Sequence, residues 1–107
     1  MLKSAIEVKK IARKTAHFLK NNIEIERGYL FGSYAIGTPH KDSDIDLAFF
    51  SPTVNKMRLD DKITFLSKMA REVDSAVEIH LFAATRLKEA RPTNFYGHII
   101  KTGKRIV

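Results

Sequence analysis

The sequence predicts a fold of the α/β or α+β class, a layer of helices laid on one sheet. Two observations carry this. Strand-like and helix-like segments alternate along the chain. A chain of 107 residues with 44% hydrophobic and 29% charged side chains also has globular rather than disordered composition. The length suits one domain over residues 1–107, since compact domains commonly run about 100–150 residues.

Residues 3–21 read as the first helix, because Val8, Ile11, Ala12, Thr15, Phe18 and Leu19 recur at the spacing that lines one face. Asn21-Asn22 supplies its stop signal. A first strand follows at 25–31, closed by Gly32, and then a short turn or helix at 33–37 that ends at Gly37-Thr38-Pro39. The second strand runs from Asp44 to Phe50 and stops at Ser51-Pro52. A long helix is expected at about 54–73, with Leu59, Ile63, Leu66, Ala70 and Val73 as its inner stripe. Ala76 to Ala83 reads as the third strand, followed by a loop, a short helix near 94–102 and a last strand at 104–107. The order of strands in the sheet does not follow from this pattern.

The charge balance points outward. Nineteen Lys and Arg against twelve Asp and Glu leave +7, which favours an anionic partner without bearing on fold. Lys9, Lys10, Arg13, Lys14, His17 and Lys20 crowd the outer side of the first helix. Solvation explains such a face, and docking of RNA or an acidic protein is its alternative reading. Zero cysteines exclude a disulfide, a thiolate zinc site and a cysteine nucleophile. No apolar run reaches the ~18–20 residues of a membrane span and Met1-Leu2-Lys3 does not open a signal peptide, so the expected setting is cytoplasmic, with no membrane partner.

The chemistry concentrates between Gly32 and Leu47. Asp44 and Asp46 stand two apart on a strand, hence on one face and about 6.6–6.8 Å apart along it. Two carboxylates so disposed repel unless a cation lies between them, and hard oxygen donors suit Mg2+. Ile45, Leu47 and Phe49 form the opposite, apolar row. The third strand repeats the division, with Val77, Ile79 and Leu81 on one side and Glu78 and His80 on the other. If the two strands are neighbours, Glu78 stands about 4.5–5.5 Å from an aspartate. Three carboxylates on one face can hold two Mg2+ ions about 3.5–4 Å apart. Gly32 lets a phosphate approach the backbone, and Ser33 adds a hydroxyl donor beside free helical N–H groups. Gly37 turns the chain back toward Asp44, and the ten residues between Ser33 and Asp44 make the combination specific.

Competing motifs fail on particular residues. An EF-hand built on Asp42, Asp44 and Asp46 has Leu47 where glycine is needed and Thr53 where the bidentate glutamate belongs. A P-loop built on Gly32 and Gly37 has Thr38-Pro39 in place of Lys-Ser/Thr. His80 shares a face with Glu78, near the expected metals, and a place behind the ligands is an alternative reading of it. His40 and Lys41 lie on the loop before Asp44, within reach of phosphates, while Ser43 caps that turn.

Leu30-Phe31-Gly32-Ser33-Tyr34-Ala35, then Ser43-Asp44-Ile45-Asp46-Leu47, with the tail Ile99-Ile100-Lys101-Thr102-Gly103-Lys104, resemble the minimal nucleotidyltransferases of the DNA polymerase β-like superfamily. The likeness covers the chain from about residue 25 onward. It implies an α+β fold with a small mixed sheet and helices on one face, and it implies ATP as the usual donor. Carried over, Asp44 and Asp46 are metal ligands and Gly32 and Ser33 hold the triphosphate. Glu78 takes the third acidic position, where the family more often has aspartate. Many small members of the family are antitoxins encoded beside a helical HEPN-domain ribonuclease toxin, and some transfer AMP onto a tyrosine of that partner. Arg91 and His98 do not make this chain such a ribonuclease, because Ile100 stands where the toxin motif has tyrosine. The expectation is a two-Mg2+ nucleotidyltransferase whose open site a partner protein or a second copy completes. The alternatives are a catalytically silent member that neutralises a toxin by contact and an RNA-binding protein.

Overall fold

The computed structural model describes residues 2–107; Met1, which opens the N-terminal stretch read above, lies outside them. Helix α1 spans Ala5–Lys20 and starts at a capping box, in which the Ser4 hydroxyl accepts from Glu7 N–H and the Glu7 carboxylate accepts from Ser4 N–H. Val8, Ala12, Thr15, Ala16 and Leu19 are its buried face, and the Thr15 hydroxyl donates to the Ile11 carbonyl instead of meeting the core unpaired. Strand β1 (Arg27–Phe31), the single-turn α2 (Ser33–Ile36), strand β2 (Ile45–Ser51), α3 (Leu59–Ala70), β3 (Val77–Ala83), α4 (Phe95–Thr102) and the two-residue β4 (Lys104–Arg105) follow. No helix among the described residues is long and apolar enough to cross a membrane.

The sheet runs in the order β3-β2-β1-β4. β2 pairs in parallel with β3 across the α3 connection, while β1 is antiparallel to both β2 and β4, so the sheet is mixed. β2 has neighbours on both edges and is buried on both faces except at Asp46, hence its near-continuous apolar sequence. The long helices α1 and α3 cover one face, where Ile45, Leu47, Phe49 and Leu81 meet Val8, Ala12, Leu19 and Met69. On the other face, Ile99 of α4 closes over Tyr29, Phe31, Ala48 and Phe50. At the start of β2 and β3 this face is less covered, with Asp46 partly exposed and Glu78 exposed.

The burial of α3 differs from the stripe that periodicity suggests. Leu59 and Ile63 are 73% and 56% exposed, whereas Met69 is 3% exposed and Phe65 and Leu66 are partly buried. The segment before it forms a 3-10 turn at Thr53–Lys56 rather than the start of one long helix, and the later turns of α3 are the ones that reach the core.

Candidate functional site

The site begins with the register of β1 on β2. Phe31 pairs with Asp46, so the next residue, Gly32, turns away beside the Asp46 side chain. Gly32 has φ +77° and ψ −159°, a region open essentially to glycine alone. A Cβ there would stand 2.5 Å from Asp46 Oδ2, so a side chain at this position would also oblige the carboxylate to move. Ser33 opens α2, and its hydroxyl makes no hydrogen bond among the described residues. With four residues, α2 offers free N–H groups but too few aligned peptides for a full macrodipole. Gly37 then ends the turn in the left-handed conformation, with open space where a Cβ would be.

The loop that returns to β2 is tied by its own side chains. Ser43 Oγ accepts from His40 N–H and Ser43 N–H donates to the His40 carbonyl, the capping role expected of it. His40 Nδ1 accepts from Asp42 N–H. Ile45 N–H then reaches the Ala76 carbonyl at 2.8 Å, which fixes the relative entry of β2 and β3. Parallel pairing brings Asp46 opposite Glu78 and Ala48 opposite His80. Because Ala48 is only a methyl group, the His80 ring has room to lean toward Asp46.

Three side chains converge. His80 Nε2 lies 3.4 Å from Asp46 Oδ1 and 3.9 Å from Glu78 Oε1, and one donor atom from each of the three falls within 4.8 Å of the others. Glu78 is the open member, with 56% of its side chain exposed against 24% for Asp46. Burial pushes the Asp46 carboxyl above the usual aspartate range; the hydrogen bond and charge of His80 oppose this, and the negative charges of Glu78 and Asp44 reinforce it. Asp44 is exposed, immediately ahead of β2, and lies outside the three-residue group although its charge reaches Asp46. Gly32, Asp46 and Glu78 are thus brought together, with Ser33 and Asp44 on the flanks. Two carboxylates and an imidazole within this span are a donor set that fits a divalent cation.

Two features were not legible as parts of the site. The alternation of β3 puts His80 on the face of Glu78, but its approach to both carboxylates could not be read from the sequence. The rings of Phe31, Phe82, Phe95 and Tyr96 form an edge-to-face wall beside the carboxylates, with Phe31 5.0 Å from the His80 ring and 5.8 Å from Phe95.

The mixed four-stranded sheet thus carries acidic side chains at the head of an inner strand, beside a glycine-bounded bend. The chain belongs to the polymerase β nucleotidyltransferase family: the family described as Polymerase beta, Nucleotidyltransferase matches residues 13–107. No curated protein matches the sequence. Among solved structures, a Sulfolobus solfataricus protein assigned to the nucleotidyltransferases superposes with TM-score 0.63 at 24% identity, covering 83% of this chain and 82% of that one. A toxin–antitoxin structure with AMP-PNP gives TM-score 0.59 at 27% identity over 87% of this chain and 70% of that one. A mutant of the toxin–antitoxin MntA-HpeT gives 0.53 at 22% identity over 96% and 72%.

Proposed function

We propose that the protein is a Mg2+-dependent nucleotidyltransferase that moves AMP from ATP onto a hydroxyl, a tyrosine of a HEPN toxin partner, and so acts as a cytoplasmic antitoxin. The observation that carries this reading is the Asp46 carboxylate packed against the Cβ-less Gly32 with Glu78 alongside, which brings a cation-binding edge within reach of a phosphate-binding bend. Asp44, Asp46 and Glu78 would hold Mg2+, two ions being the expected number; when bound, they neutralise the triphosphate and stabilise the departing pyrophosphate. Backbone N–H groups after Gly32 and the Ser33 hydroxyl bind the β- and γ-phosphates. The acceptor oxygen attacks the α-phosphorus, the bond from that phosphorus to the bridging oxygen breaks, and Glu78, more exposed than Asp46, accepts the hydroxyl proton. The similarity, at 27% identity, to a toxin–antitoxin structure with AMP-PNP supports both the nucleotide and a toxin as partner. The carboxylates lie on an open strip of sheet, so the partner or a second copy would supply the rest of the acceptor pocket.

Labelled ATP, Mg2+ and the HEPN protein should yield a labelled partner. No transfer by the wild type, or equal transfer by Asp46→Asn, would overturn the assignment. One observation favours a second reading, neutralisation by contact alone: Asp44 lies outside the group that Asp46 and Glu78 form. In that case a variant carrying both Asp44→Asn and Asp46→Asn would still protect cells from the toxin. Binding of RNA through the exposed lysines of α1 would instead weaken steeply with added salt.

A further inference from the structure

We infer that His80 Nε2 is a direct ligand of the divalent ion held at Asp46 and Glu78, making a mixed oxygen–nitrogen site that favours a transition ion such as Mn2+ over Mg2+. This rests on the preceding reading that the carboxylates bind a cation, and it concerns which cation and through which atoms.

The geometry is specific to one nitrogen. Nε2 faces two carboxylate oxygens, at 3.4 and 3.9 Å, and a single N–H can satisfy only one of them. Donors around an ion at about 2.0–2.2 Å stand roughly 3.0–3.5 Å from their neighbours, so the 3.4 Å separation matches an edge of a coordination shell and the exposed Glu78 would close in from 3.9 Å. Both distances also lie within ion-pair range, so detection of a metal-bound nitrogen is what separates a ligand from a charged neighbour. The ring is also held in this orientation: His80 and Glu78 alternate onto one face of β3, Ala48 opposite leaves space for the ring to lean, and the Phe31 ring meets it at 67°.

Chemistry then sets the preference. Mg2+ keeps to oxygen ligands and retains much of its water, whereas an imidazole nitrogen suits first-row transition ions. Mn2+ stands at the weak end of that series, so a preference visible with Mn2+ would be larger for its heavier neighbours.

The experiment uses untagged, nucleotide-free protein titrated with Mn2+ and followed by electron paramagnetic resonance, with spin-echo modulation to detect bound nitrogen. The wild type should show modulation from a directly bound 14N, replaced by the 15N pattern when the protein is made with 15N-histidine. His80→Gln should lose that modulation and bind Mn2+ on the order of tenfold more weakly, with a smaller change for Mg2+ measured by competition. The isotope replacement needs no substitution, so it tests the ligand even if the variant folds poorly. Mn2+ bound without nitrogen modulation would overturn the role of His80 while leaving the carboxylate site intact. Modulation that survives in His80→Gln would assign the nitrogen elsewhere and overturn it equally. No bound Mn2+ at all would overturn both this inference and the cation site of the proposed function.

Discussion

Replacing Gly32 by alanine separates the backbone demands of the bend from its role beside the carboxylates. Gly32 and Gly37 both have positive φ, +77° and +80°, but their surroundings differ. A Cβ at 32 would meet Asp46 Oδ2 at 2.5 Å, whereas nothing lies within 4 Å of a Cβ at 37. Backbone strain at Gly32, in the region reserved for glycine, costs about 1–3 kcal/mol. The left-handed conformation of Gly37 costs an alanine about 1–2 kcal/mol. The clash at 32 adds little to that cost, because a carboxylate is the free end of a side chain and can rotate away. Rotation, however, takes Asp46 off Glu78 and His80. For a domain of this size, about 2 kcal/mol lowers Tm by roughly 8–16 °C. Gly32→Ala should therefore melt at a temperature lowered by that amount and bind Mn2+ at least about tenfold more weakly. Gly37→Ala should lose up to a similar amount of stability and keep its ion affinity. Thermal melts by circular dichroism and Mn2+ titrations of both variants supply the comparison. Unchanged ion affinity in Gly32→Ala would refute the claim that this glycine exists to admit the Asp46 carboxylate.

Two further predictions concern stability. The Asp46 carboxyl is raised, so the folded chain holds that proton more tightly than the unfolded chain; the associated stability is complete below the unfolded pKa near 3.8 and is lost as pH rises through the higher folded value. Without divalent ions, Asp46→Asn should accordingly be more stable than the wild type at pH 7, and the gap should close at acid pH; a less stable variant at pH 7 would mean that the His80 contact outweighs burial. In α3, Met69→Ala should cost about 2–5 kcal/mol in urea unfolding and Leu59→Ala no more than about 0.5 kcal/mol, since only Met69 is buried; the reverse order would restore the helix face that periodicity suggests.

Local chemistry determined much of this protein. The two-residue alternation of β2 and β3 separates Asp46, Glu78 and His80 from Ile45, Leu47, Ile79 and Leu81, and the spacing from Gly32-Ser33 to Asp44 and Asp46 marks the site, because both depend on neighbours a few positions away. Tertiary structure alone decided that Phe31 would pair with Asp46 and Asp46 with Glu78, because register is set by contacts distant in sequence. It also decided that α3 would turn Met69 inward and leave Leu59 in the open. An amphipathic pattern shows that a helix has an inner face, but how much of that face is covered depends on what the rest of the chain packs against it. The reach of His80 to both carboxylates follows from the same cause: Ala48, on the adjacent strand, leaves the space through which the ring leans.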